Sequence, residues 1–352
     1  MKPVKYFGAA NGYGGFRSYF DKIFKSDKFN NVYVIKGGPG TGKSSLMKKI
    51  SAYAKKSEMN CEEIYCSSDP YSLDGIIINY NGQKIAMLDG TSPHERDAVV
   101  PGAIDEIINL GVGWDSKFLL AQKDKILSLT IQKAKAYRSA YFYLSLAGRC
   151  MEEIRSCITD CIDLKALKNG VNNVAEELLS ENEGKTDYAL LSSYGRFGSY
   201  RLDSYETDPE RTFAVRGERI ICELFMTYLK EYAKLSCTNM TVSPSALDGR
   251  FDEGIYFPDR NISVVITDNE AAKELNTDEY AKKQSDTECI RKAKLIYSDA
   301  LDEAKRYFCI ASDMHSRLEE YYSSVMNFDV IDEITEKYSE IIVQKLRNSA
   351  DT

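Results

Sequence analysis

The chain has 352 residues with 46 basic and 53 acidic side chains, a net charge of −7, and a composition that is 43% hydrophobic and 28% charged. This length suggests about two domains, each large enough to bury a core. No apolar run nears the roughly 18 residues of a membrane span, and the acidic balance disfavours non-specific nucleic-acid binding.

Nine cysteines without dense spacing point to reduced thiols in a cytosol. Two histidines and no C-x-x-C pair leave a structural zinc site almost without ligands. The first residues, MKPVKYFGAANGYGGF, lack the apolar stretch of a secretory signal, so a cytoplasmic location is expected. Gly12-Tyr13-Gly14-Gly15 is no dinucleotide fingerprint: no strand precedes it, and Arg17 stands where a third glycine belongs.

The informative segment is Asn31 to Ile50, NVYVIKGGPGTGKSSLMKKI. Val32 to Ile35 is β-branched and aromatic and predicts a buried strand. Gly37-Gly38-Pro39-Gly40-Thr41-Gly42-Lys43-Ser44 follows, matching G-x-x-x-x-G-K-[ST]. Beyond it, Ser45 opens a stretch with Leu46, Met47 and Ile50 at helical spacing. Glycines let backbone N–H groups approach phosphate oxygens, and a helix starting near Lys43 aims its positive end at them. Lys43 supplies a mobile positive charge and Ser44 a hydroxyl for Mg²⁺.

Asp69 and Asp74 flank a turn and read first as backbone-capping residues. Ile76 to Ile78 is strand-like. Ile85-Ala86-Met87-Leu88-Asp89 predicts a buried strand ending in a carboxylate, with Asp89 a second Mg²⁺ ligand. The polar loop after it contains His94 and Glu95, which with Asp69 are candidates for orienting water. An ordinary solvated loop explains His94 and Glu95 equally well.

The second half repeats the first. Phe16-x-Ser18-Tyr19 recurs as Phe197-x-Ser199-Tyr200, Tyr33–Gly37 as Phe213–Gly217, Pro70–Gly75 as Pro244–Gly249, and Ile85–Asp89 as Val264–Asp268. The third match has an offset of 174 against about 180 for the others, which predicts six residues missing after Gly217. Gly217-Glu218-Arg219 has no Gly-Lys-Ser, so the second copy should not bind a nucleotide. Ser180 to Asp187 is the best linker. Up to Lys185 there are 25 basic and 22 acidic residues, and beyond it 21 and 31, so the basic excess travels with the first copy.

Each copy ends in a predicted helical arm, about 117–169 and 270–349. The first contains only Gly148 and no proline, the second neither. Cys150, Cys157 and Cys161 fall on one helix face and read as packing residues rather than metal or redox groups.

The Lys36–Ile50 loop resembles the Walker A motif of P-loop NTPases, and Asp89 resembles Walker B. With Cys66–Gly75 and Asp89–His94, the chain is similar over most of its length to a duplicated P-loop ATP-binding family of low-GC Gram-positive bacteria. The resemblance implies bound ATP and Mg²⁺. Many members keep a second Walker A, which this sequence has lost. The loop is also similar to that of AAA+ ATPases, but Gly90 stands where those place a catalytic Glu, and no N-K-x-D guanine signature follows.

The expected fold is α/β: tandem P-loop-like parallel-sheet modules, residues 1–185 and 186–352, each followed by a helical arm. The expected function is Mg²⁺-dependent ATP binding with slow hydrolysis, used as a switch toward a protein partner. Alternatives are a small-molecule or nucleotide kinase, with Arg96, Arg138 and Arg149 as candidate clamps, and a non-enzymatic scaffold stabilised by ATP. Arg216 or Arg219 is a candidate arginine finger. No membrane partner is expected.

Overall fold

The computed structural model describes residues 4–282 and 287–350. The chain forms two compact units, Ser18–Ser139 with Arg306–Thr352, and Met1–Arg17 with Ala140–Lys305. The units therefore do not follow the repeat boundary at residue 185. Two 37-residue helices, Lys123–Thr159 and Thr287–Ser323, each contribute one half to either unit.

Within the first of these units a mixed sheet carries strands in the order Asn60–Tyr65, Leu73–Tyr80, Gln83–Asp89, Asn31–Lys36, Asp105–Asn109. Asn31–Lys36 lies parallel to both its neighbours, whereas Leu73–Tyr80 is antiparallel to both of its own. The expected parallel sheet is thus confined to three of these strands. The reason is local: Leu73–Tyr80 and Gln83–Asp89 are joined by Asn81-Gly82, both at positive φ. That two-residue turn makes a hairpin and cannot make a parallel crossover. Leu46, Met47 and Ile50 of the helix Lys43–Lys56 are buried, in the same core as Tyr33, Ile76 and Met87.

The other unit holds a six-stranded sheet in the order Lys273–Asn276, Thr212–Arg216, Ile262–Ile266, Asp252–Phe257, Met240–Pro244, Thr186–Tyr188. Its first three strands are parallel, and Asp252–Phe257 is antiparallel to both neighbours. Order and direction repeat those of the first sheet strand for strand. The helix Arg219–Leu235 takes the place of Lys43–Lys56 and buries Ile220, Ile221, Phe225 and Leu229 in its own core.

The arms are exchanged between the copies. Lys43–Lys56 packs against Phe328–Ala350 from the second copy's arm, and Arg219–Leu235 packs against Leu164–Leu178 from the first copy's arm. This exchange is why each compact unit is discontinuous in sequence. The first arm breaks between Thr159 and Leu164, where the Asp163 carboxylate accepts from Lys165 N and Ala166 N. The second arm starts at Thr287, later than residue 270, because Lys273–Asn276 pairs with Thr212–Arg216 as a strand. Freedom from glycine and proline permits a helix, but the sheet's open edge claims that backbone instead. Among the described residues no helix is long and apolar enough to cross a membrane.

Candidate functional site

The strand Asn31–Lys36 ends in the glycine loop, and the helix begins at Lys43. Gly40 and Gly42 sit at φ +68° and +85°, which only glycine adopts without strain. The Lys43 ammonium donates to the carbonyls of Gly37 (3.0 Å) and Gly38 (2.8 Å) and lies 3.6 Å from the Asp89 carboxylate. Thr41 Oγ1 donates to Gly38 O at 2.9 Å, closing the loop on itself. Among the described residues no side chain caps the start of the helix.

Asp89 comes from the neighbouring parallel strand, where it lies opposite Ile35. It accepts from Thr91 N (2.9 Å) and Thr91 Oγ1 (2.6 Å). Burial pushes its carboxyl above the ordinary value, and the Lys43 charge and Thr91 bonds offset part of that rise. Ser44 Oγ accepts from Leu73 N at 2.9 Å and keeps a further lone pair. Lysine, hydroxyl and carboxylate thus converge beside an uncapped helix N-terminus, a donor set suited to phosphate oxygens with a divalent cation.

No family model, curated protein or solved structure matches the chain. The residues themselves therefore carry the functional argument.

Pro39 lies within the loop, and Ser45 is exposed in the first helical turn. His94 is buried away from solvent, stacked on Phe20 (centroids 4.1 Å apart) with Nε2 3.0 Å from Asp74. Glu95 is exposed. Asp69 forms the expected turn, accepting from Tyr71 N at 3.1 Å, whereas Asp74 lies inside the strand Leu73–Tyr80. Arg96 is also buried, bonded to Phe24 O and to Ser26 Oγ (3.0 Å) and 3.6 Å from Asp105. Arg138 and Arg149 are exposed.

Several residues around the loop come from the arms, beyond the reach of motif reading. A Cβ on Gly40 would meet Glu319 O at 2.7 Å, and one on Gly38 would meet Tyr322 at 2.9 Å and Trp114 at 3.4 Å. His315, one helical turn before Glu319, is 3.6 Å from it. Burial, with the charges of Lys133 and Lys43, pushes His315 down to about 4 against the opposing pull of Asp69. Lys133 is itself lowered by burial, with Glu319 opposing. These residues lie far from the loop in sequence, and only the fold of the arms brings them there.

The second copy's loop differs in a way that corrects the sequence alignment. Between strand and helix it has only Gly217 and Glu218, where the first copy has Gly37–Gly42, so four residues are lost rather than six. The helix is 17 residues long against 14, which restores three of the four. The 174 offset is a coincidental match: Asp248 forms the turn that Asp69 forms, accepting from Arg250 N, and Gly254 pairs as Gly75 does. Opposite Val215, the position matching Ile35, stands Ile266. Asp268 is therefore no counterpart of Asp89.

In this copy the Asp278 carboxylate accepts from Glu218 N at 2.6 Å, at the start of the helix. Arg216 bonds to Glu274 and to the carbonyls of Thr267 (3.3 Å), Asp268 (3.3 Å) and Asn269 (2.6 Å). Arg219 bonds to Glu223 at 3.0 Å and lies 3.6 Å from Glu253. Both arginines are engaged within their own module.

Proposed function

We propose that the chain is a Mg²⁺-dependent ATP-binding protein whose first copy alone takes the nucleotide, with slow hydrolysis serving a switch. The observation that carries this reading is Lys43 at 3.6 Å from Asp89, beneath a glycine loop that joins a parallel strand to an uncapped helix. Lys43, Ser45 and the N–H groups of Gly38 and of Gly40 to Ser44 would hold the phosphates, with Pro39 shaping the loop, and Ser44 with Asp89 would hold the cation. Bound Mg²⁺ would supply charge neutralisation to the β- and γ-phosphates.

Slow turnover follows from what surrounds Asp89. The next residue is Gly90, His94 is tied to Asp74 and Phe20, and Glu95 is exposed. None of these places a free carboxylate or imidazole beside Asp89, and Asp74, whose charge adds to the rise of the Asp89 carboxyl, is paired with His94, so the chemistry rests on electrostatic stabilisation by Lys43 and the loop. The switch reading draws on the arm: the Glu319 backbone and the Tyr322 ring sit against Gly40 and Gly38, so a change in the loop is felt by that helix.

Calorimetric titration with ATP and Mg²⁺, paired with phosphate release, tests the reading. Lys43→Ala should weaken binding on the order of a hundredfold, the scale of a lost charged hydrogen-bonding partner. Asp89→Asn should reduce the dependence on Mg²⁺. Binding by Lys43→Ala equal to that of the unaltered chain would overturn the assignment. Phosphoryl transfer to an acceptor would convert it to a kinase, and binding without turnover to a scaffold.

A further inference from the structure

Two thiols meet in the unit that does not contain the glycine loop. Cys157 lies near the end of Lys123–Thr159 and Cys289 near the start of Thr287–Ser323, with their Sγ atoms 3.8 Å apart. Glu153 precedes Cys157 by one helical turn, and its Oε1 lies 3.6 Å from Cys289 Sγ. The three ligand atoms all fall within 4.8 Å of one another. Cys157 packs against its unit's hydrophobic core, while Glu153 is exposed and leaves a way in from solvent.

The two separations at Cys289, 3.8 Å to Cys157 Sγ and 3.6 Å to Glu153 Oε1, match a tetrahedral site. Bonds of about 2.3 Å to sulfur and 2.0–2.2 Å to oxygen, at tetrahedral angles, place two sulfurs about 3.8 Å apart and sulfur and oxygen about 3.6 Å apart. A disulfide would need the sulfurs at about 2.05 Å. Two thiols alone could rest at 3.8 Å, but the carboxylate that reaches the same point adds a third donor. All three donors are positioned by helical backbone, two of them at i and i+4 on one face.

We propose that Glu153, Cys157 and Cys289 bind a zinc-type divalent cation through two thiolates and one carboxylate, leaving a fourth position for water. Thiolate ligands select against Mg²⁺, so this site is separate from the one proposed at Ser44 and Asp89. No spacing pattern points to it, because Cys157 and Cys289 are 132 residues apart. Cys150, on the same helix as Cys157, is not part of it; nor is Cys161, which lies beyond the helix end rather than on the expected shared face and donates its thiol to Cys157 O at 3.6 Å. Binding would join the two long helices within one compact unit and stabilise that unit by mass action. Each thiol that becomes a thiolate ligand releases a proton to solvent.

The experiment uses the full chain, reduced and stripped with a chelator, then titrated with Zn²⁺ against a chromogenic competitor and separately with Co²⁺. One equivalent should bind, with thiolate-to-cobalt charge-transfer absorption and the intense visible bands of tetrahedral Co²⁺, and with proton release into weak buffer. Cys157→Ser and Cys289→Ser should each lower the affinity at least tenfold and lose the charge-transfer band. Glu153→Gln should lower the affinity by about 10- to 100-fold and keep the band. Exposed Cys237→Ser should change nothing. If Cys157→Ser does not fold, Cys289→Ser on the other helix and the exposed Glu153→Gln decide the matter. Retention of the tight equivalent in Cys289→Ser overturns the proposal. So does an unaltered chain that takes up no metal when reduced, including one that forms a Cys157–Cys289 disulfide on mild oxidation.

Discussion

The two copies share sheet order and strand direction, yet the same place in each has opposite chemistry. In both, the strand that enters the loop pairs with an outer strand ending in asparagine: Lys36 opposite Asn109, and Arg216 opposite Asn276. Each asparagine caps a short 3₁₀ turn by accepting from the N–H two residues on, which belongs to Gly111 in one copy and Asp278 in the other. Gly111 brings no side chain to the helix start, whereas Asp278 delivers a carboxylate to Glu218 N. The second copy has thus lost the lysine, four loop residues and the Asp89 position, and it satisfies the helix N-terminus with a carboxylate of its own. Losing an anion site takes more than losing its lysine, because the exposed N–H groups still need an acceptor.

The arms sharpen the contrast and carry the largest expected effect. Arg155 and Glu319 occupy the same position in the two 37-residue helices. Arg155 bonds to Glu223 (2.8 Å) and Asp248 (3.3 Å), both buried, and its guanidinium lies 3.8 Å from the Phe251 ring centre. Glu223 would keep Arg219 and Asp248 would keep Arg250, so Arg155→Ala should cost about 2–3 kcal/mol in denaturant unfolding, the scale of lost charged hydrogen bonds. Glu319 is 45% exposed, and Glu319→Gln should cost less than about 1 kcal/mol. Equal losses would mean that the two arms are held alike.

A smaller effect is expected where the second copy caps its helix. Asp278→Ala removes the acceptor of Glu218 N and should cost about 1 kcal/mol, the usual value of an N-terminal cap. It should leave nucleotide affinity unchanged, since that reading places nothing in this module. A gain of ATP binding by Asp278→Ala would show that the second copy is masked rather than degenerate, and would reopen the two-site arrangement. Thermal unfolding with and without nucleotide distinguishes the two outcomes.

How far the sequence could be read follows from these same residues. Strand, loop and helix around Lys43 were legible because each needs only its neighbours: a β-branched run, glycines at positive φ, and apolar residues at helical spacing. Asp89 was legible as the end of a buried strand. The mixed character of the sheets was missed although Asn81-Gly82 announced a hairpin, because the parallel expectation came with the phosphate-loop pattern. The duplication was recognised but aligned two residues out at Asp268 and five at Gly249, since short motifs match by composition where pairing register decides. His315, Glu319, Tyr322 and the pairing of Cys157 with Cys289 depend on where the arms dock, and nothing local in those helices encodes that.

The weakest expected effect separates the copies by pH. His315 is held down to about 4 by burial and by the charges of Lys133 and Lys43, while an unfolded histidine titrates near 6.5. Above about pH 6.5 both states are neutral, and the histidine adds no pH dependence. As pH falls toward 4 the unfolded chain takes up the proton first, so stability drops across that window and levels off below it. The side chain is 45% exposed, so solvent screening keeps the loss well under what the shift alone would imply. The matching position in the other arm is Met151, which cannot titrate. Unfolding at pH 7.5 and pH 5 should show a smaller drop for His315→Gln than for the unaltered chain, and Met151→Leu should leave the drop as it is. Identical drops for His315→Gln and the unaltered chain would mean that solvent, rather than Lys133 and Lys43, sets the histidine's charge. If the polyphosphate of the proposed nucleotide offsets Lys43, ligand binding near pH 5.5 should be accompanied by proton uptake that His315→Gln abolishes.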